Sequence, residues 1–145
     1  MYQHILIATD GSDLSAKAVD AGLQLAAALR ARVTALTVSE PFHTLSLAPS
    51  QAAYTEAEYQ QHAEETAQRI LGEVKAKAEK SGVACETLRV VHEHPWEAII
   101  ETARTRGCDL ITMASHGRRG VSAVLLGSET AKVLTHSKIP VLVHR

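Results

Sequence analysis

Short apolar runs alternate with stretches of helical periodicity along the chain, and this alternation predicts its elements. Ile5-Leu6-Ile7-Ala8 is an apolar run that stops at the turn cluster Thr9-Asp10-Gly11-Ser12. A run of that length bounded by turn residues reads as a buried strand. From Asp13 to Arg30, Leu14, Ala18, Ala21, Leu25, Ala28 and Leu29 recur at helical spacing, with Asp13 as the predicted N-cap. Val33 to Val38 reads as a second strand, and Pro41 and Pro49 mark 40–50 as an irregular loop. A long helix is predicted from Gln51 to Lys80, ended by Gly82. Glu56, Glu58, Glu64 and Glu65 fall in its first half and Lys75, Lys77 and Lys80 in its last turns. That charge order complements the helix dipole and describes a solvated face. Strands over Cys85–Val91, Asp109–Ala114 and Ile139–Val143 follow, with helices over His94–Arg106 and Gly127–His136 between them.

Strands separated by helices imply an α/β fold with right-handed crossovers. The expectation is one doubly wound domain over residues 1–145, a five-stranded parallel sheet with helices on both faces. A chain of 145 residues buries roughly 68–70% of its unfolded surface, enough for a core without staples. In such folds ligands sit beyond the carboxyl ends of the strands. Those ends are Ala8-Thr9-Asp10, Val38-Ser39-Glu40, Val91-His92-Glu93 and Met113-Ala114-Ser115. From the last of them hangs a glycine-spaced loop, Gly117 to Gly127, closed by Ser128. A strand that empties through glycines onto a helix start exposes N–H groups to an anion, and the helix dipole adds to their pull. Ser128 is placed to cap the helix through its hydroxyl, and Arg118 and Arg119 to add fork-shaped phosphate donors. The plainer alternative is a solvated loop whose glycines serve tight turns.

Composition narrows the field. Hydrophobic residues are 46% of the chain and aromatic ones 3%, so the core is built from Ala, Val, Leu and Ile. A net charge of −1 gives no electrostatic footprint for nucleic acid or an anionic membrane, although Arg104, Arg106, Arg118 and Arg119 lie close in sequence. Cys85 and Cys108 form no C-x-x-C pair and no zinc spacing. Met1-Tyr2-Gln3-His4 leads straight into a strand, and no apolar stretch is long enough to span a bilayer, so the expected compartment is the cytoplasm.

His92 and His94 share a strand face and are a two-ligand metal candidate without a third ligand; a solvated strand end is the simpler reading. His116 is a candidate acid or base with no nucleophile evident beside it. Gly127-Ser128 lacks the G-x-x-x-x-G-K frame of a Walker loop. Asp10-Gly11-Ser12-Asp13-Leu14-Ser15 is partly similar to the S-G-G-x-D-S pyrophosphate loop of adenylating ATPases, but Asp10 replaces the first Ser and would face a pyrophosphate with like charge. Helix capping is the competing role of that segment. Trp96 is expected to pack at the start of its helix.

Taken together, Ile5 to Ser12, Asp109 to Gly117 with Gly127-Ser128, and Ile139-Pro140-Val141-Leu142-Val143 resemble the universal stress protein family over essentially the whole chain. The resemblance implies an adenine nucleotide α-hydrolase-like fold. The family's nucleotide-binding branch carries G-x-x-G, nine residues, then G-[ST]. Here Ala114-Ser115-His116-Gly117 precedes Gly127-Ser128 at that spacing, so Ala114 stands where a glycine is expected. If position 114 needs positive φ, alanine costs about 1 kcal/mol or more; with negative φ it is harmless, which its place at a strand end favours. The resemblance implies ATP or a related adenine nucleotide, with Mg held through the nucleotide and Asp10 rather than by a protein-only metal site. Ala8, Thr9 and Asp10 would border the adenosine, Val38 would offer its backbone to the adenine edge, and Met113 and Ala114 would line base and ribose. Gly117, Gly127, Ser128, Glu129 and Thr130 would hold phosphates by N–H and hydroxyl groups. The Glu129 carboxylate would face away, and His116 and Arg118 would be phosphate neighbours. Also implied are a homodimer through residues 139–143, unspecified protein partners, and a nucleotide-responsive role in stress adaptation rather than dedicated catalysis. Two alternatives stay open: a non-nucleotide interaction protein with Ala114 marking a lost site, and a slow ATPase or adenylating enzyme.

Overall fold

A computed structural model describes residues 1–43, 54–117 and 125–145. In chain order the elements are β1 (His4–Ala8), α1 (Asp13–Leu29), β2 (Arg32–Ser39), α2 (Glu56–Lys80) and β3 (Cys85–Val91). They are followed by α3 (Pro95–Arg106), β4 (Leu110–Ala114), α4 (Ser128–His136) and β5 (Val141–His144). The strands form one five-stranded sheet in the order β3-β2-β1-β4-β5, every pairing parallel. This is the expected doubly wound architecture.

Alternation along β1 builds the two layers. Ile5 and Ile7 point to one face, where they pack with Val19, Leu23 and Ala26 of α1 and Leu71, Val74 and Ala78 of α2. Leu6 and Ala8 point to the other, against Ile99 and Ala103 of α3 and Val133 of α4. β1 is buried along its whole length, as a central parallel strand covered on both faces must be. The chain runs outward from β1 through β2 to β3, then returns to place β4 on the other side of β1. Strand order reverses there, so the carboxyl ends of β1 and β4 mark the position where sheets of this kind form a ligand crevice.

Several boundaries differ from the sequence reading, each for a local reason. Ser12, not Asp13, caps α1, its side chain accepting from the Ser15 N–H at 3.3 Å. Asp10 Oδ1 accepts from the Ser12 N–H at 2.9 Å and holds Ser12 in the extended cap conformation. α2 begins at Glu56 rather than Gln51, because Thr55 and Glu58 form a capping box; residues 51–53 lie outside the described residues. Ser128 does not cap α4: Gly127 occupies the N-cap position without a side-chain bond, and Ser128 is already in the first turn. β5 starts at Val141 instead of Ile139, since the Ser137 hydroxyl donates to the Ile139 carbonyl and accepts from its N–H, folding that residue into a turn.

At the amino ends of the strands lies a polar chain. His4 Nε2 is 2.8 Å from the Thr34 hydroxyl, which donates to Glu86 Oε1 at 2.7 Å. Glu86 in turn accepts from Arg106 at 3.2 Å. Burial holds His4 below the usual histidine pKa. Burial also works to raise Asp109, but the N–H groups of Gln3 and His4 donate to its carboxylate and leave it below its usual value.

Candidate functional site

The crevice is built from two turns. On the β1 side, Thr9 Oγ1 accepts from the Ser15 hydroxyl at 2.7 Å and from the Gly11 N–H at 3.2 Å. Ser15 Oγ accepts from the Asp10 N–H at 3.2 Å. Thr9 and Ser15 are buried, so the first turn of α1 fixes this corner and sets the direction of the Asp10 side chain. The Thr9 N–H donates to the Leu36 carbonyl at 2.9 Å, which draws the end of β2, and with it Val38, to the same rim.

On the β4 side, the Ser115 N–H donates to the His144 carbonyl at 2.7 Å, and the Ser115 carbonyl accepts from the Gly127 N–H at 2.8 Å. This bond brings the two ends of the glycine loop together across residues 118–124, which lie outside the described residues together with Arg118 and Arg119. Both glycines stand at close approaches. A Cβ on Gly117 would collide with Asp10 Oδ2, and one on Gly127 would lie 3.1 Å from the Ser115 carbonyl oxygen and from His116 Cα. Gly117, where the loop begins, therefore lies against the β1 turn, beside the Asp10 carboxylate.

These bonds correct two expected donors. The Gly127 N–H is taken by Ser115 and is not available to a phosphate. The Thr130 hydroxyl donates to the Ala114 carbonyl at 2.9 Å from a buried position. The Glu129 carboxylate accepts from the Trp96 N–H at 2.9 Å and so serves α3. Ala114 is inside β4, paired with His144; its backbone is that of a strand, and its methyl carries no left-handed penalty. Met113 is buried on the α3 and α4 face. His116 Nδ1 lies 3.2 Å from the Ser115 hydroxyl, a contact between chain neighbours that the sequence reading passed over. Ser15 entered that reading only within the pyrophosphate-loop comparison; in the structure its hydroxyl ties Thr9 to Asp10.

The remaining candidates have structural roles. His92 Nδ1 accepts from the His94 N–H at 2.8 Å, and its Nε2 faces Glu97 at 3.7 Å. Among the described residues no group of three His, Cys, Asp or Glu could hold a metal. Burial raises the Cys85 thiol, and raises Cys108 to about 11, so both are protonated and poor nucleophiles at neutral pH. Among the described residues no helix is long and apolar enough to cross a membrane.

Residues 1–145 match the model of the universal stress protein family. Universal stress protein YxiE of Bacillus subtilis is 33% identical over 149 aligned residues, covering 100% of both chains. A protein of the universal stress protein family from Burkholderia pseudomallei has a crystal structure that matches with a TM-score of 0.78 and 30% identity, over 98% of this chain and 95% of that one. A universal stress protein crystallised in complex with cAMP matches with a TM-score of 0.74 and 32% identity, over 99% and 97% of the respective chains.

Proposed function

This chain belongs to the universal stress protein family, and from that premise we propose that it binds an adenine nucleotide at the β1–β4 crevice and acts as a nucleotide-responsive homodimer. One observation carries the reading. The N-terminus of α4 opens at the switch point of the sheet with no side-chain cap of its own. Its first-turn N–H groups are donors that a helix cannot satisfy internally, and the helix dipole turns them toward negative charge. A relative 32% identical over nearly its whole length was crystallised with cAMP, which supports an adenine ligand in this branch of the fold.

The residues divide the work by chemistry. The N–H groups of Ser128, Glu129 and Thr130 hold phosphate, with the Ser128 hydroxyl and His116 beside them and Arg118 as a further neighbour. Gly117 and Gly127 bring the loop ends close enough for this to happen, Gly117 against Asp10 and Gly127 against Ser115. Ala8, Thr9 and Asp10 border the adenosine, the Val38 backbone meets the adenine edge, and Met113 and Ala114 line the base and ribose. Asp10 faces a polyphosphate with like charge, so ATP is bound as its Mg complex while AMP needs no metal. Charge-assisted bonds at about 1.5–3 kcal/mol each, less ordering costs, support a micromolar complex near −8 kcal/mol.

Dimerisation uses the 139–143 strand region. β5 is a sheet edge, and edge strands offer unpaired N–H and C=O groups to a second chain. Leu142 and, on the neighbouring helix, Leu134 are exposed apolar side chains that a second copy would cover. The cytoplasm is the compartment consistent with this role.

The test is to purify the protein without added nucleotide, denature it and identify what is released. An adenine nucleotide in the supernatant is the expected result, and the non-nucleotide interaction protein predicts none. Incubation with Mg and ATP addresses catalysis: multiple-turnover phosphate release abolished by Asp10→Ala would make this an enzyme.

A further inference from the structure

Glu129 stands in the first turn of α4, yet its carboxylate serves another helix. The N-cap of α3 is His94, which makes no side-chain cap bond. The orphan N–H of Trp96 in the first turn of α3 is instead satisfied by Glu129 Oε2 at 2.9 Å. A carboxylate at a helix N-terminus also gains from the dipole of that helix. The Trp96 ring meets the other end of α4: it stacks on His136, with centroids 4.6 Å apart and an interplanar angle of 29°. Residues 129 and 136 are seven apart and lie on one face of α4. Trp96 is thus fastened to both ends of that face, by its backbone at the first turn and by its ring at the last.

Trp96 and His136 also line a groove of about 610 Å³ together with Leu88, Val90, His92 and Ile100. The groove runs between α3 and the edge strand β3 and is separate from the β1–β4 crevice. A tilt or slide of α4 moves both contacts to Trp96, and with them one wall of the groove.

We propose that α4 couples phosphate occupancy of the crevice to this groove, with Trp96 as the transmitting side chain. The inference rests on the nucleotide-binding reading and adds its regulation. Its driving force is a competition between anions. A phosphate at the first turn of α4 repels the adjacent Glu129 carboxylate, and the positive end of α3 is where that carboxylate is welcome. Bound phosphate therefore favours the arrangement in which Glu129 bridges to Trp96 and disfavours those in which it turns back, which is the differential affinity a population shift requires. Adenosine carries no phosphate and has no such effect.

Trp96 is the single tryptophan of the chain, so its emission reports the link directly. Adenosine, AMP and Mg-ATP are titrated by calorimetry and by Trp96 fluorescence in parallel, with hydrogen exchange followed over α3. AMP and Mg-ATP shift the emission and slow exchange of the first turn of α3 severalfold; adenosine produces heat without either change. His136→Ala, at an exposed position outside the crevice, keeps AMP affinity within about twofold and loses most of the emission change. Heat with AMP but unchanged Trp96 emission and exchange overturns the coupling and leaves the binding reading intact. So does an adenosine response equal to that of AMP, since Trp96 then senses the base directly. An unaltered His136→Ala response means that the ring contact with α4 carries none of the change and overturns the coupling through α4, and no heat with any nucleotide removes both readings.

Discussion

Gly117 and Asp10 come from opposite sides of the crevice and meet without room for a methyl group between them. Gly117→Ala must push the Asp10 carboxylate aside or move the loop, an overpacking that costs about 1–3 kcal/mol. Urea denaturation reads this as a lower midpoint at unchanged slope; an unchanged midpoint would mean the two ends do not pack. His4 belongs to the other end of the sheet and gives a pH prediction. Its folded pKa lies below the ordinary value of 6.5, so the unfolded chain takes up the proton first. Stability is therefore full above about 6.5 and falls as pH drops through the depressed folded value. Asp109 is depressed from 3.8 and adds a separate loss only below that. His4→Gln should flatten the first limb of a stability-against-pH profile and leave the second. At this scale the sequence was legible for residue type more than for role. Gly117, Gly127 and Ser128 stood out by spacing, and Glu129 and Thr130 only through the family resemblance, but the bonds of Gly127 to Ser115 and of Thr130 to Ala114 join residues more than ten positions apart, and local pattern carries no such information.

At the scale of elements, the strands were legible because a buried parallel strand needs a near-continuous apolar run, and Ile5 to Ala8 and, with Thr112 as its single polar residue, Leu110 to Ala114 supply one. Ends were harder, since neighbouring residues of equal capping ability compete. Ser12 and Asp13 both cap well, and only the contact from Asp10 decides between them. Ser12→Ala should cost about 1 kcal/mol, while Asp13→Ala should cost no more than the dipole contribution of about 0.3–1 kcal/mol. Thermal or urea unfolding of the two variants ranks them, and the reverse ranking would return the cap to Asp13. The start of α4 was misread by one position because Ser128 is the better cap by type, whereas the Ser115 carbonyl fixes Gly127 there by its N–H. That substitution has a consequence for the site. A helix whose cap position carries no side chain leaves its first turn open to an anion from outside.

For the molecule as a whole, the count and direction of the strands followed from their alternation with helices, but their order did not. Placing β4 beside β1 depends on how the crossovers pack, and this placement brings Asp10 and Gly117 together from positions over a hundred residues apart. The edges of the sheet follow from the same order. A charge on the β5 edge, Leu142→Lys, should convert a dimer into a monomer by sedimentation, and a variant that sediments like the wild type would remove β5 from the interface. Ala114 bears on the central claim, because its strand backbone and pairing with His144 make the missing glycine a matter of contact, not of conformation. The most direct measurement is a calorimetric titration of the nucleotide-free wild type and of Ala114→Gly with AMP and with Mg-ATP. The account predicts saturable one-to-one binding by both proteins at about micromolar Kd, whereas binding by the glycine variant alone, or by neither protein, would contradict it.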